Sequence, residues 1–237
     1  AAPGCFYILT NSRSLDAAAS CDLHRELAAK LRQAAAEANR AIVVASRSDS
    51  TLRGHYPHET DTLAETLGPF DVTLLTPYFE AGGRYTLDDT HYVAEGGRLV
   101  PAAETPFARD AAFGYRHSHL PSWVAEKTAG RIHAVDVATL SLDEIRRGGP
   151  AIVAARLRAL SRGTVCIANA CAPRDIEVLA LATLLAEQAG TCVLYRTAAS
   201  FVAARIGQAP HAILSPAELV SRGTAGGLVV VGSYMPK

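Results

Sequence analysis

The segment Ser46 to His55 reads S-R-S-D-S-T-L-R-G-H and follows the apolar run Ile42-Val43-Val44-Ala45. A turn after a buried strand needs one or two polar residues and a glycine. This one adds an aspartate, several hydroxyls and an arginine. Asp49 can accept hydrogen bonds from vicinal hydroxyls, and Arg53 offers a planar fork that pairs with a carboxylate or phosphate. Gly54 lets the backbone approach a ligand closely. The composition suits a small, anionic, polyhydroxylated molecule. The same residues also fit a plainer role, because an Asp-Ser-Thr cluster before a helix caps it and Arg53 can simply pair with Asp49.

Other segments carry weaker chemistry. Gly82-Gly83-Arg84 has the makings of a phosphate turn, but the sequence contains no G-x-x-x-x-G-K-[ST], which excludes a P-loop. His117-Ser118-His119 reads as a metal or proton-relay pair, or as surface histidines in a loop. Asp88-Asp89 reads as a solvated turn. Arg196-Thr197-Ala198-Ala199-Ser200 follows a strand and enters a helix, so its hydroxyls and N–H groups either hold an anion or cap the helix.

Short apolar runs alternating with helical periods must position these groups. Strands are expected at Cys5–Leu9, Ile42–Ala45, Val72–Thr76, Ile132–Val137, Val165–Ala168, Cys192–Tyr195 and Leu228–Val231. Helices are expected over Leu15–Ala38, with Leu23, Leu27 and Leu31 at four-residue spacing, and from Pro57 to the stop at Gly68-Pro69. Further helices fall at Ala151–Leu160, Asp175–Gln188 and Ser200–Ile206. Repeated strand–helix–strand units imply an α/β fold with a mainly parallel sheet and helices on both faces. Residues 77 to about 125 break the pattern. They are rich in Gly, Pro, Tyr and His, and contain a hairpin, His91–Val93 with Arg98–Val100, turning at Glu95-Gly96-Gly97. A long loop and hairpin insertion of this kind usually binds something or moves. The expected organisation is one domain over residues 1–225. A linker and unaccompanied strand follow at 226–237, which reads as the start of a second domain in a chain cut short.

Composition narrows the function. The 237 residues are 49% hydrophobic and 19% charged, with Lys+Arg and Asp+Glu both at 23, so a globular fold is expected and neither nucleic acid nor an anionic membrane is an expected partner. No apolar run approaches the ~20 residues of a membrane span, and Ala1-Ala2-Pro3-Gly4 lacks the basic flank of a signal peptide. Five cysteines without a C-x-x-C pair argue against a disulfide framework or a zinc site. No H-E-x-x-H motif supports a metal. The expected compartment is the cytoplasm. An α/β-hydrolase reading fails for want of a G-x-S-x-G elbow.

The order of the segments is more specific than any one of them. S-D-S-T-L-R-G (48–54), G-R-Y-T (83–86), H-Y-V (91–93), E-T-P-F-A-R-D (104–110), S-H-L-P (118–121), N-A-C-A-P-R-D-I-E-V-L (169–179) and R-T-A-A-S-F (196–201) occur here. Their order and spacing resemble the N-terminal, substrate-binding domain of the four-carbon acid sugar kinase family, over nearly the whole chain.

The resemblance implies an ATP-dependent kinase, with Mg2+, that phosphorylates the terminal hydroxyl of erythronate, threonate or a 3-oxo-tetronate. It implies a second, nucleotide-binding domain entered at 226–237, with Gly232 and Ser233 at the phosphate end, and a possible homodimer. Phosphoryl transfer depends on positioning and charge neutralisation. On that footing Arg53 would hold the substrate carboxylate and Asp49 its hydroxyls, while Ser50, Thr51 and Gly54 complete the cradle. Arg84 and His91 would close over the ligand from the insertion, and Arg196 and Ser200 would face the same cleft. No catalytic residue is assigned. The alternative expectation is a sugar-acid binding module that has lost the kinase chemistry.

Overall fold

The computed structural model describes residues 4–209, together with Ala212, Leu214, Ser215 and Glu218. In chain order the main elements are α1 (Ala17–Glu37), β1 (Ala45–Arg47), α2 (His58–Leu67), β2 (Val72–Thr76), β3 (Arg84–Leu87), β4 (Thr90–Glu95), β5 (Arg98–Pro101) and α3 (Leu120–Lys127). There follow β6 (Ala138–Leu140), α4 (Gly149–Arg158), β7 (Thr164–Ala168), α5 (Pro173–Gln188), β8 (Val193–Thr197) and α6 (Ala199–Arg205).

Five strands form an all-parallel sheet in the order β1-β8-β2-β7-β6. The two-residue period of a strand divides its side chains between the faces. Val72, Leu74, Cys166, Ala168, Val193 and Tyr195 join a core with α4, α5 and α6 through Val153, Leu157, Ile176, Leu179 and Phe201. Leu75, Val165 and Ile167 join a second core with Leu120, Trp123 and Val124 of α3 and with the insertion. Leu194 packs with Ala28 of α1 and Leu63 of α2. Strands buried on both faces read as continuous apolar runs, which is why β2, β7 and β8 stand out in the sequence.

The insertion is a separate antiparallel sheet, β3-β4-β5. The β4–β5 hairpin pairs Glu95 with Arg98, and Gly96 and Gly97 sit at φ 57° and 77° between them. Positive φ at both central positions is the type I′ geometry that glycine provides. The third strand, β3, was not anticipated, since Arg84-Tyr85-Thr86-Leu87 has no clean alternation. An antiparallel bridge between Thr86 and Ala170 ties it to the loop after β7.

Two expected strands are corrected. Cys5–Leu9 pairs with no strand among the described residues, and Phe6, Tyr7, Ile8 and Leu9 are exposed. Ile132–Val137 alternates like a strand, but 134–136 form a 3₁₀ turn with Val135 exposed. The strand begins at Ala138, where pairing with Cys166 of β7 starts. The first parallel strand likewise lies later than expected, at Ala45–Arg47, set by its register with Tyr195–Thr197. In α1 the fully covered positions are Ser20, His24 and Ala28, while Leu23, Leu27 and Leu31 are half-buried. The strand expected at Leu228–Val231 and the boundary at 225/226 lie outside the described residues. Among the described residues no helix is long and apolar enough to cross a membrane.

Leu74 is completely buried in the sheet core under α4 and α5. Leu74→Ala should cost about 2–5 kcal/mol through lost burial and the cavity left behind, read from the urea-unfolding midpoint.

Candidate functional site

In open α/β sheets ligands bind beyond the carboxyl ends of the strands. Here that end collects the loop after β1, the start of the insertion after β2, and the entry to α6 after β8. Thr76 and Thr197, the last residues of β2 and β8, are register partners. Among the described residues, both hydroxyls are buried with no hydrogen-bond partner. Native structures leave few buried polar groups unpaired, which sets these two hydroxyls apart at this end of the sheet.

The loop after β1 is a polar knot centred on Asp49. One carboxylate oxygen accepts from the Thr51 hydroxyl, from Thr51 N at 3.3 Å and from Arg53 Nε at 2.9 Å. The other lies 3.7 Å from Arg13. Burial opposes ionisation of Asp49, but these hydrogen bonds and neighbouring cations overcome it and hold the carboxyl below its usual range. Arg53 reaches on to Asp110 at 3.5 Å and lies over the Phe107 ring, with its side chain only 7% exposed. The expected fork is therefore already engaged inside the protein by two carboxylates. Gly54, at φ 120°, leaves the loop in a conformation only glycine adopts easily.

The insertion fastens this loop from outside. His91 is fully buried; its Nε2 lies 2.7 Å from the Ser50 carbonyl and its Nδ1 lies 3.0 Å from the Thr86 hydroxyl. A carbonyl only accepts, so Nε2 carries the proton and Nδ1 accepts from Thr86. Burial pushes the His91 pKa down to about 4. His91 thus joins the insertion to the loop and does not face open space. Tyr115 repeats the device, its hydroxyl donating to the Thr51 carbonyl at 2.9 Å. Arg84 stands differently. Its guanidinium lies over Phe107 at 5.2 Å, its Nε is buried without a hydrogen-bond partner among the described residues, and burial lowers its pKa.

Arg196, 2% exposed, extends beneath the loop. Its Nε donates to Glu59 at 3.0 Å, and the same Glu59 oxygen accepts from the Ser48 hydroxyl at 2.8 Å. The guanidinium lies over Tyr56 and Trp123, whose rings stack at 4.7 Å. Its Nη2 is buried without a hydrogen-bond partner among the described residues. Burial works against the Glu59 charge, yet Arg196 and Ser48 hold that carboxyl below its usual range. Ser200 is half-buried in the first turn of α6. Gly232 and Ser233 lie outside the described residues.

The remaining segments resolve simply. His117 and His119 are exposed, and His119 contacts Ser122. Among the described residues no group of three or more His, Cys, Asp or Glu is placed to hold a metal. Asp88 and Asp89 form the β3–β4 turn, where Asp89 accepts from Asn169 at 2.6 Å. Sequence reasoning missed Phe107, Asp110 and Tyr115. For Phe107 and Asp110 the signal was there, since E-T-P-F-A-R-D stood out as a block, but nothing local says that it will meet Arg53 in the loop after β1. Beside the loop opens a cleft of about 570 Å³, bordered by Arg13, Asp16, Gly54, His58, Phe113 and Lys127.

Fold and site together define an α/β ligand-binding domain. The family described as sugar-binding N-terminal domain matches residues 1–205, and the chain belongs to that family. No curated protein matches the sequence. A Bordetella bronchiseptica protein of the DUF1537 family, crystallised with bound citrate as a domain-swapped dimer, is similar at 25% identity and TM-score 0.64, over 84% of this chain and 44% of that one. A Haemophilus influenzae protein of the same family shares the fold at 19% identity and TM-score 0.62, over 83% of this chain and 44% of that one. The chain therefore spans less than half the length of either protein.

The depressed pKa of His91 makes stability depend on pH. The unfolded chain takes up the proton near the ordinary imidazole value of 6.5 and the folded one only near 4, so stability rises with pH across this window and is lost as pH falls through it. The expected loss is about 3 kcal/mol between pH 7 and 4. His91→Gln should flatten that part of the pH–stability curve measured by urea denaturation.

Proposed function

We propose that this domain binds a four-carbon sugar acid at the carboxyl ends of β1, β8 and β2. In the full-length protein it would present the terminal hydroxyl of erythronate, threonate or a 3-oxo-tetronate to ATP. The observation that carries the reading is that, among the described residues, Arg84 Nε and the Thr76 and Thr197 hydroxyls are three of the buried polar groups that have no hydrogen-bond partner. A carboxylate bearing several alcohols supplies the acceptors and donors they lack. Arg84 takes the carboxylate role first expected of Arg53, because Arg53 already has Asp49 and Asp110. Membership of the sugar-binding family supports the ligand class. So does the citrate in the Bordetella protein, which is also a hydroxylated carboxylate.

Asp49, Ser50 and Thr51 form the loop wall. Asp49 is ionised and acceptor-only, suited to substrate hydroxyls, although its Thr51 and Arg53 bonds leave it limited capacity. Ser200, from α6, stands on the same rim of the sheet. Nucleotide and Mg2+ fit no residue cluster described here, since no metal-binding group is found among the described residues. They belong to the proposal through the rest of the protein. The domain-swapped dimer of the Bordetella protein supports a dimeric assembly.

Calorimetry of the full-length protein against a tetronate panel tests the reading. Arg84→Ala should weaken binding about 10- to 100-fold, the loss of a charge-assisted hydrogen bond of about 1.5–3 kcal/mol. No heat with any tetronate overturns it. Binding without tetronate-dependent ATP consumption identifies instead a module that lacks kinase chemistry.

A further inference from the structure

Arg53 and Arg84 lie over the same Phe107 ring, their guanidinium carbons 4.9 and 5.2 Å from its centroid. The two cations are held in different ways. Arg53 is paired with the carboxylates of Asp49 and Asp110, at 2.9 and 3.5 Å, and its Nε also donates to the Thr51 hydroxyl at 3.0 Å. Among the described residues Arg84 forms no ion pair, and its Nε is buried without a hydrogen-bond partner. A charge withdrawn from water normally needs a counter-charge or hydrogen bonds. For Arg84 the ring stands in that place.

The difference decides what each arginine can still do. A carboxylate holds a guanidinium by accepting its N–H groups. An aromatic ring attracts the cation through the quadrupole of its face and does not saturate the donors. Arg53 is therefore committed to the loop, whereas Arg84 keeps its fork for a ligand. The ring itself is firmly seated. Phe107 belongs to the 3₁₀ turn Pro106–Arg109 and packs against the second core. Just after that turn, Asp110 accepts from the N–H groups of Ala112 and Phe113 at 3.0 and 3.1 Å while pairing with Arg53. A Cβ built on Gly82 would stand 3.1 Å from Arg84 Nη1, so the guanidinium is closely confined there too.

We propose that Phe107 is a positioning residue of the sugar-acid site: its ring fixes the Arg84 guanidinium by cation–π attraction and so presents unpaired donors to the ligand carboxylate. This rests on the sugar-acid reading, in which Arg84 meets that carboxylate. Phe107 acts on binding through Arg84.

The test is calorimetry of the full-length protein with the tetronate panel, combined with side-chain NMR of the arginine Nε–H groups. Phe107→Leu keeps an apolar side chain but removes the ring. It should weaken tetronate binding about 5- to 30-fold, the range of a partly to fully desolvated cation–π contact. Phe107→Trp and Phe107→Tyr keep a cation-binding face and should retain most of the affinity. In an Arg84→Ala background Phe107→Leu should cause no further loss, because the interaction is already gone. Without ligand, the Arg84 Nε–H resonance, displaced by the ring current in the wild type, should move toward the free-arginine position in Phe107→Leu. The proposal is overturned if Phe107→Leu binds tetronate as the wild type does, if its loss is as large in the Arg84→Ala background, or if the Arg84 resonance is the same with and without the ring. In a protein that binds no tetronate, a ring-dependent Arg84 resonance upholds the positioning of Arg84 by Phe107 while removing the sugar-acid reading, and an unchanged one overturns both.

Discussion

Two hydrogen bonds from a distant insertion hold the loop after β1 in shape, and the candidate site depends on them. The His91 imidazole and the Tyr115 hydroxyl donate to the consecutive carbonyls of Ser50 and Thr51. Those carbonyls lie in a loop where the buried Leu52 has φ 67° and Gly54 has φ 120°. A non-glycine residue in the left-handed region is strained, and surrounding structure must over-determine it to persist. The insertion supplies that constraint, so its three-strand sheet is better regarded as a brace than as an appendage. With the carbonyls fixed, the Asp49 side chain is free to organise Thr51, Arg53 and Arg13 around itself.

Beneath the brace lies a charge pair in a place where charges are costly. Arg196 and Glu59 are nearly inaccessible to solvent, joined at 3.0 Å and enclosed by the Tyr56 and Trp123 rings. Burying such a pair gains little stability on balance, although removing one partner is severe. Its value here is positional. Glu59 also receives the Ser48 hydroxyl, so the start of the loop is linked to the end of β8 through a single carboxylate.

Much of the fold was legible in the sequence because parallel strands buried on both faces leave unbroken apolar runs. Val72–Thr76 and Val165–Ala168 are seen nearly as expected. Cys5–Leu9 and Ile132–Val137 carried the same kind of signal and pair with no strand among the described residues, because apolarity marks what can form a strand and register decides what does. The site was legible only in outline. The loop at 48–54 announced itself by its excess of polar groups, but composition does not reveal where a guanidinium finds its counter-charge. Asp110 is 57 positions from Arg53 along the chain, and their meeting depends on the path of the insertion. Likewise His91 looked like a ligand contact because it is polar and in a long loop; its complete burial is a tertiary fact.

The exposed run Phe6-Tyr7-Ile8-Leu9 and the short strand β1, at the edge of the sheet among the described residues and preceded by exposed Ile42 and Val43, have a practical consequence. An extended apolar backbone with free donors and acceptors is adhesive, because it can zip onto any neighbouring strand that offers a complementary margin.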